Sequence, residues 1–354
     1  MNLKDRMIVD TYRKRRNSYV AMGDAAHQRL ESLIKESGIE IFGIEHRVKS
    51  ESSLIGKLNL RGEGFHKLED LTDILGARII CYFADDVDRV GKLIEQAFDV
   101  DHKRSKDKRA LIRVDSFGYL SVHYICALPH DAGYPDDICG IYFEIQVRTI
   151  LQHTWAAINH DMGYKSEFGV PRVVGRELSR IAGLLELADD EFVRVRNTMH
   201  AYTSEIREKI ANNTAHDVLI DTLSLQEYVA TNSRMTEFMA KLAEISGAEI
   251  SEISPEPYIH QLKWLKKQTL GDLSQMLEDN WELALALAKH SLEAAELDIL
   301  SSNVGLRFLC RAELYNKKYT EEQAAEFLKM SFNDEARAAR QAAHLFRTCN
   351  SLTE

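Results

Sequence analysis

The sequence is poor in cysteine and proline and contains no long apolar run. Its five cysteines are scattered over 354 residues, without a Cys-x-x-Cys pair, which predicts free thiols in a reducing compartment. No segment approaches the roughly 18 consecutive apolar residues of a membrane span, and no apolar signal region follows residues 1–6. These absences argue against a disulfide framework, a zinc site and membrane insertion, and they predict a cytoplasmic protein.

The few prolines also predict how the chain is organised. The stretch 173–254 and the whole chain after Pro257 lack proline, and apolar residues recur there at helical spacing. A length of 354 residues favours two domains. The polar run at 212–214 predicts a boundary, and therefore one domain over 1–212 and a helical accessory domain over 213–354, with a regulatory or an assembly role.

The first domain has a mixed pattern. We predict helices over 3–36, 52–60, 87–98 and 151–162, and strands over 77–83, 111–114, 120–128 and 141–147. The fold class is therefore α+β, with a mixed β-sheet flanked by helices and followed by an all-α C-terminal domain.

Charge is unevenly distributed. The net charge is −10, and residues 201–354 account for −8 of it, with 16 Lys and Arg against 24 Asp and Glu. Such an acidic region argues against a stable nucleic-acid partner, which would need a basic face. Residues 281–289 are apolar on more than one side of a helix, so the C-terminal domain could form a homo-oligomer or bind a protein partner.

Polar residues alternate along two predicted strands within residues 118–165. Tyr119, Ser121 and His123 share one face of the first strand. Glu144, Gln146 and Arg148 share one face of the second strand, opposite Ile145 and Val147. An acid, an aromatic ring and two cations on adjacent faces predict the floor of a polar site.

A line of cations precedes these strands. Lys49, Ser53 and Lys57 follow at intervals of four residues along a predicted helix, with Arg47 just before it. Charge-assisted donors in one line suit a polyphosphate, although a solvated basic face paired with nearby glutamates has the same pattern.

Asp73 precedes an apolar strand, where it could bind Mg²⁺ or cap a loop. The basic loop 103–109 could hold phosphates or lie in solvent. His153 and His160 share a helix face, but no third ligand at suitable spacing supports a zinc site.

In their order, these motifs resemble the synthetase domain of the RelA/SpoT family, which makes the alarmones ppGpp and pppGpp. The matching residues are Arg47, Lys49, Ser53, Lys57, Asp73, Arg78, Gly118, Tyr119, Ser121, His123, Glu144, Gln146, Arg148, Thr149, His153, Trp155, Tyr164 and Lys165. The resemblance covers residues 40–200 and implies a nucleotidyltransferase-like fold. It also implies transfer of the β,γ-pyrophosphate of ATP to the 3′-hydroxyl of GDP or GTP, with release of AMP.

The resemblance also implies a role for each matching position. Asp73 and Glu144 would be catalytic and would bind Mg²⁺, with Glu144 also near the attacking hydroxyl. The ATP-binding residues would be Arg47, Lys49, Ser53, Lys57, Arg78 and Arg148. The acceptor nucleotide would be bound by Tyr119, which would stack on the guanine, and by Ser121, His123, Gln146 and Lys165.

Two other functions are compatible with the sequence. A toxic relative that places pyrophosphate on the 3′ end of tRNA would need an extended basic surface, which the loop 103–109 could begin and the acidic second domain opposes. A catalytically silent nucleotide-binding regulator would not need both carboxylates and all the donor cations.

Overall fold

The computed structural model describes residues 3–61, 64–109, 121–130, 133–164, 172–293, 297–332 and 334–353; side chains are described over the same ranges except 61, 160–164 and 172. The chain divides into two compact units, residues 1–196 and residues 197–354. Each unit has its own hydrophobic core. Within the described ranges, none of the helices combines the length and the apolar character that a membrane span requires.

The first unit is built from helices and short strands in alternation. In chain order its elements are α1 (Leu3–Ser37), β1 (Ile41–Val48), α2 (Glu51–Arg61), β2 (Leu75–Cys81), α3 (Ala84–Ala97), β3 (Asp99–Val100), β4 (Lys106–Asp107), β5 (Val122–Ala127), β6 (Phe143–Thr149), α4 (Ile150–Tyr164) and α5 (Arg172–Ala211). The last of these, α5, continues into the second unit.

Its strands form one mixed sheet in the order β1-β2-β6-β5-β3, with β4 also paired to β5. Strands β2 and β6 are parallel, while β1 with β2 and β5 with β6 are antiparallel. This confirms the predicted α+β fold class, with a mixed sheet and flanking helices.

The two faces of the sheet have different chemistry. Ile145 and Val147 of β6 and Ile79 of β2 are fully buried in the core, and α1 and α3 pack on that side. Because successive side chains of a strand point to opposite faces, the polar residues of β6 lie on the other face. The alternation along β6 that the sequence shows is therefore confirmed.

In the first unit the structure contains three strands that the sequence pattern did not predict, β1, β3 and β4, and it corrects one predicted helix. Residues 41–48 form β1, which places Arg47 on a strand. Lys49 lies in the turn before α2, because that helix begins at Glu51. The prediction that Lys49, Ser53 and Lys57 lie along one helix is therefore wrong, because Lys49 precedes the helix. The predicted strand over 111–114 lies outside the described residues.

Helix α5 is fastened to the sheet unit at two points. The hydroxyl of Thr149, at the end of β6, donates a 2.6 Å hydrogen bond to the buried Asp189. Seven residues further along α5, Arg196 bonds to Asp86 at 3.1 Å and places its guanidinium 4.4 Å from the centre of the Phe83 ring. The position of α5 on this unit is thus fixed by buried polar contacts.

The second unit is helical, as predicted. Its elements after α5 are α6 (Thr222–Thr231), α7 (Ser233–Ser246), β7 (Glu249–Ser251), α8 (Glu256–Trp264), α9 (Leu270–Leu292), β8 (Ile299–Ser301), α10 (Val304–Asn316), α11 (Glu321–Lys329) and α12 (Glu335–Thr353). The two short strands pair in parallel. Inside the bundle the buried Glu313 bonds to Lys267 at 2.8 Å and to Asn280 at 2.6 Å, so its charge is compensated.

Candidate functional site

A pocket of about 340 Å³ lies on the polar face of the sheet. Its walls come from the ends of β1, β2 and β6 and from the turn that leads into α2. The lining residues are Arg47, Val48, Lys49, Ser50, Ser53, Asp73, Gly76, Ala77, Arg78, Glu144 and Gln146.

Strand register determines which of these side chains are neighbours. Arg47 of β1 lies opposite Gly76 of β2, and Gly76 lies opposite Glu144 of β6. Paired residues share a face, and Gly76 has no side chain, so the floor between Arg47 and Glu144 is open. A Cβ atom built on Gly76 meets no other atom within 4 Å. The sequence motif contains this glycine, but the sequence reading gave it no role.

Two residues along the strands from Arg47, Gly76 and Glu144, a second row of paired residues across the sheet contains four polar side chains. Glu45, Arg78, Gln146 and His123 are paired in that order across β1, β2, β6 and β5. Arg78 lies 3.7 Å from Glu45, which makes Glu45 a further charged member of the site. The row brings together two residues predicted to bind different nucleotides, Arg78 for ATP and His123 for the acceptor.

Asp73 is held between two lysines. Lys49 Nζ is 2.7 Å from one carboxylate oxygen, and Lys57 Nζ is 2.6 Å from the other. Burial acts to raise the pKa of Asp73, but the hydrogen bonds and charges of Lys49 and Lys57 outweigh it, so the pKa lies below its usual value. Asp73 is therefore ionised at neutral pH, and two of the predicted donor cations surround it.

Glu144 is also held at both carboxylate oxygens, but by a histidine and an amide instead of two lysines. His123 Nδ1 is 2.6 Å from Oε1, and Gln146 Nε2 donates to Oε2 at 2.8 Å. Burial acts to raise the pKa of Glu144, but the bonds from His123 and Gln146 and the charge of Lys108 bring it below its usual value. Each carboxylate oxygen keeps a lone pair for a metal ion or a substrate hydroxyl.

His123 is the middle of a chain of hydrogen bonds. Its Nε2 atom lies 2.8 Å from the Ser121 hydroxyl, while its Nδ1 atom faces Glu144. In the neutral imidazole an Nδ1–H that donates to Glu144 leaves Nε2 as the acceptor of the Ser121 proton. Three of the predicted site residues therefore form one connected unit.

Arg148 is a buried cation. Its side chain is only 6% exposed, its Nε has no hydrogen-bond partner, and it forms no ion pair with any residue that the structure describes. Burial and the nearby charge of Arg78 lower its pKa to about 10. Burial and the charge of Arg148 likewise lower the pKa of His153, so these two groups are adjacent. A buried cation that pairs with none of the described carboxylates suits a site that receives an anion.

The start of α2 contributes hydroxyls. Ser50 accepts a hydrogen bond from the backbone N–H of Ser53 at 3.2 Å, and its hydroxyl lies 2.8 Å from that of Ser53. This is the arrangement of an N-capping residue. Ser53 lies on the first turn of α2 and faces the pocket, where the positive end of the helix dipole favours a phosphate.

The basic loop 103–109 is largely neutralised by its own carboxylates. Arg104 bonds to Asp101 at 2.7 Å, and Arg109 bonds to Asp107 at 2.8 Å and to Asp88 at 2.6 Å. The arginines of this loop are therefore engaged, and only its lysines are left to meet a phosphate.

The chemistry of the pocket fits Mg²⁺. Two ionised carboxylates, Asp73 and Glu144, line one pocket together with cations, and Mg²⁺ typically takes one or two carboxylates plus phosphate oxygens and water. Among the residues that the structure describes, no group of three or more His, Cys, Asp or Glu could hold a metal by itself. A metal in this pocket would therefore need oxygens from a bound nucleotide.

The structure brings most of the predicted site residues together. Arg47, Lys49, Ser53, Asp73, Arg78, Glu144 and Gln146 line the pocket. Lys57, Ser121 and His123 reach it through hydrogen bonds to those residues, and Arg148 lies beside Arg78. Tyr119 and Lys165 lie outside the described residues.

Comparison with known proteins adds independent information. Residues 46–168 match the profile described as "Region found in RelA / SpoT proteins". The chain is 31% identical over 159 residues to the GTP pyrophosphokinase YwaC of Bacillus subtilis (strain 168), covering 43% of this chain and 74% of that protein. It is 29% identical over 153 residues to the GTP pyrophosphokinase YjbM of the same organism, covering 42% and 69%.

A solved structure is also similar. The small alarmone synthetase 1 from Bacillus subtilis bound to its product pppGpp superimposes with a TM-score of 0.47 at 24% identity, over 53% of this chain and 98% of that one. The matched sequence region contains the whole lining of the pocket. The chain belongs to the RelA/SpoT family, and its first unit is homologous to the family's alarmone synthetases.

Proposed function

We propose that this chain transfers the β,γ-pyrophosphate of ATP to the 3′-hydroxyl of GDP or GTP, giving ppGpp or pppGpp and AMP. The observation that carries the proposal is the pocket itself. Two ionised carboxylates and the cations Arg47, Lys49 and Arg78 share one cavity inside the region that matches the family.

The donor nucleotide occupies the cation-rich side. Among the described residues in and beside the pocket, six cations (Arg47, Lys49, Lys57, Arg78, Lys108 and Arg148) face three carboxylates (Glu45, Asp73 and Glu144). A triphosphate supplies the missing negative charge. When it binds, Lys49 and Lys57 can exchange Asp73 for phosphate oxygens, and Arg148 gains the anion that it lacks in the described structure.

The acceptor hydroxyl approaches Glu144. Its oxygen forms a bond to the β-phosphorus of ATP, the bond from that phosphorus to the oxygen bridging the α-phosphate breaks, and AMP leaves. Glu144 is ionised and oriented by His123 and Gln146, so it can accept the hydroxyl proton. Tyr119, from the family motif, supplies the aromatic face for the guanine.

Asp73 and Glu144 would hold Mg²⁺. When bound, the ion neutralises part of the negative charge that the transferred group carries, which is its usual contribution to phosphoryl-transfer chemistry. The arginines and lysines of the pocket contribute to the same stabilisation from fixed positions.

Label transfer tests the proposal. The purified chain is incubated with Mg²⁺, γ-labelled ATP and one acceptor at a time: GDP, GTP or deacylated tRNA. We expect the label to move to GDP or GTP and not to tRNA, because the arginines of the basic loop are already paired. Label on tRNA alone would assign the chain to the tRNA-modifying relatives.

The matched control separates catalysis from binding. Glu144→Gln keeps the size and the hydrogen-bonding shape of the side chain. Without Mg²⁺ it should bind an ATP analogue with unchanged affinity, and with Mg²⁺ it should transfer label at no more than about a hundredth of the wild-type rate. Nucleotide binding without transfer to any acceptor by the wild-type chain would instead support a silent regulator.

A further inference from the structure

A small cleft lies between three helices of the second unit, α9, α10 and α12. Its floor is apolar and consists of the buried side chains of Leu287, Phe308 and Leu345. The enclosed part measures about 20 Å³, which is room for about one water-sized group. The rim consists of six polar residues: His290, Ser291, Arg311, Gln341, His344 and Thr348.

The rim side chains are free to bind a ligand. None of the six forms a hydrogen bond or an ion pair with any residue that the structure describes. The rim contains no carboxylate, and Arg311 can only donate hydrogen bonds. The rings of His290 and His344 have their centroids 6.5 Å apart, so both can reach one bound group. A rim that is rich in donors and lacks a carboxylate suits an anion.

Arg311 is the partly buried cation of this rim. Burial, and secondarily the charge of Arg307, lower its pKa to about 10. The groups that act in the opposite direction, Tyr258 and Cys310, are uncharged at neutral pH, because burial raises the pKa of both. Arg311 therefore resembles Arg148 of the first unit, as a cation withdrawn from water that pairs with none of the described carboxylates.

The charges around the cleft leave an excess of positive charge. On each of the three helices, a carboxylate close to the rim in the sequence is already paired with a lysine: Glu293 with Lys289, Glu313 with Lys267 and Glu335 with Lys329. Three further arginines next to the rim in the sequence form no ion pair with a described residue: Arg307, Arg340 and Arg347. This local excess lies in a region with a net charge of −8, and such concentrated charge attracts a ligand of opposite sign.

The size of the cleft indicates which anion it takes. The enclosed volume admits the terminal group of a ligand but neither a sugar nor a base. A terminal phosphoryl group carries a charge of roughly −1.5 to −2 at neutral pH and three acceptor oxygens, and a guanidinium can bind two of these oxygens at once. Several donors around one small opening match that geometry better than they match a carboxylate, which has a single charge.

We propose that the cleft between α9, α10 and α12 binds a terminal phosphoryl group, as free phosphate or as the end of a small phosphate monoester, with Arg311 as its main charged donor. The site is independent of the pyrophosphate transfer proposed above, because it contains no residue of the first unit. It gives the helical unit a ligand of its own.

Histidine signals in NMR spectra of the full chain report binding at this cleft directly. The 13 histidines are labelled with ¹³C in the ring, and the variants His290→Gln and His344→Gln identify the two signals of interest. Inorganic phosphate is added up to about 20 mM at constant pH, with the ionic strength held constant by sodium chloride. Both signals should move along saturating curves with one shared dissociation constant. Phosphate bound in the first unit would instead move the signals of His123 or His153.

Substitutions in the rim test which side chains hold the anion. Arg311→Met should raise the dissociation constant at least about tenfold, because it removes the charge-assisted hydrogen bonds. Gln341→Ala combined with Thr348→Ala keeps Arg311 and should raise it several-fold, which also provides a test if the Arg311 variant fails to fold. Lys263→Met removes an exposed charge from α8 of the same unit and is the matched control, with no expected change.

Two other probes distinguish the sources of the phosphoryl group. Phenyl phosphate is a monoester and should bind at least as tightly as inorganic phosphate, because only its phosphoryl group enters the cleft. A single-stranded oligonucleotide without a terminal phosphate offers only diesters, each with a single charge, and should not compete with phenyl phosphate.

Three results would overturn the proposal. Absence of a saturable shift beyond the effect of chloride would leave the rim as solvated surface. Unchanged binding in both Arg311→Met and the double alanine variant would place the bound phosphate elsewhere. Tighter binding of the oligonucleotide than of phenyl phosphate would make the arginines of this unit a nucleic-acid surface.

Discussion

Arg148→Met should make the first unit more stable while it removes activity. Arg148 is almost completely buried; it forms no ion pair with a described residue, and the nearby charge of Glu45 compensates only part of the cost of burial. Methionine has a similar length and no charge. The substitution therefore removes the cost of a buried cation in the unliganded protein, and it also removes a donor that we propose for the phosphates of ATP.

The size of the effect follows from the electrostatics of the site. Burial, and secondarily the charge of Arg78, lower the pKa of Arg148 to about 10. A depression of that size corresponds to about 3 kcal/mol of unfavourable free energy. Because the folded-state pKa is the depressed one, this cost is present at every pH below about 10 and so applies in full at pH 7. Imperfect packing of methionine offsets part of the gain.

We therefore expect a net gain of about 1–2 kcal/mol in the free energy of unfolding. For a unit of this size it corresponds to a rise of about 2–8 °C in melting temperature. Thermal and urea unfolding should be followed with and without a non-hydrolysable ATP analogue, and transitions of the two units should be fitted separately. The analogue should stabilise the wild-type chain markedly and the variant much less.

Arg148→Lys is the control, since it keeps a buried charge and should show no gain in stability. The reasoning would be refuted if Arg148→Met lowered the melting temperature, because the guanidinium would then be compensated in the unliganded protein. If the ATP analogue stabilised the Arg148→Met variant as much as it stabilises the wild-type chain, Arg148 would not belong to the donor site.

Three further substitutions test other parts of the account. Glu144→Gln should lower turnover by at least about 10²–10³-fold with the fold intact; a variant above a tenth of the wild-type rate would remove Glu144 from the mechanism. Gly76→Val puts a strand-favouring side chain into the open pocket floor, so the ATP KM should rise at least about tenfold without loss of melting temperature, and an unchanged KM would place the donor elsewhere. Asp272 accepts hydrogen bonds from the backbone amides of Gln268 and Thr269, which hold its pKa below the usual value; this stabilisation is present above about pH 4 and lost as pH falls through the folded-state pKa. Asp272→Asn should thus lower the free energy of unfolding by roughly 0.3–1 kcal/mol at pH 7, and this deficit should shrink as the pH of the urea unfolding is lowered below about 4; a deficit independent of pH would contradict the capping explanation.

The parts of the fold that repeat locally could be predicted from the sequence. Alternation with a period of two assigned the buried and polar faces of β6, and the structure has Ile145 and Val147 in the core with Glu144 on the other face. Strand β1 was missed because its pattern is interrupted by Gly43, next to an irregularity in the pairing of β1 with β2.

Contacts between distant residues could not be predicted in this way. The bond from His123 to Glu144 depends on the register of β5 against β6, which no local pattern contains. The sequence motif named both residues but gave them separate roles, Glu144 with Mg²⁺ and the attacking hydroxyl and His123 with the acceptor nucleotide. Likewise, the ion pairs of Lys49 and Lys57 with Asp73 join residues that are 16 or more positions apart in the sequence. They depend on how the chain places the turn before α2 beside the start of β2.

The boundary between the two units could not be predicted from turn residues. The polar run at 212–214 follows the end of α5 at Ala211, while the compact units divide between Arg196 and Asn197, inside that helix. Turn signals in a sequence mark where elements end. They do not show how one long helix is shared between two cores, so the predicted boundary at 212 stays a prediction.

The most direct test of the central claim is the identity of the adenine nucleotide that the reaction releases. Transfer of a pyrophosphoryl group leaves AMP, whereas transfer of a single phosphoryl group leaves ADP. With GDP or GTP as acceptor we expect AMP in a one-to-one ratio with the labelled guanine nucleotide, and neither product without an acceptor. Formation of ADP, or AMP without a matching guanine product, would contradict the assignment of this pocket to pyrophosphate transfer.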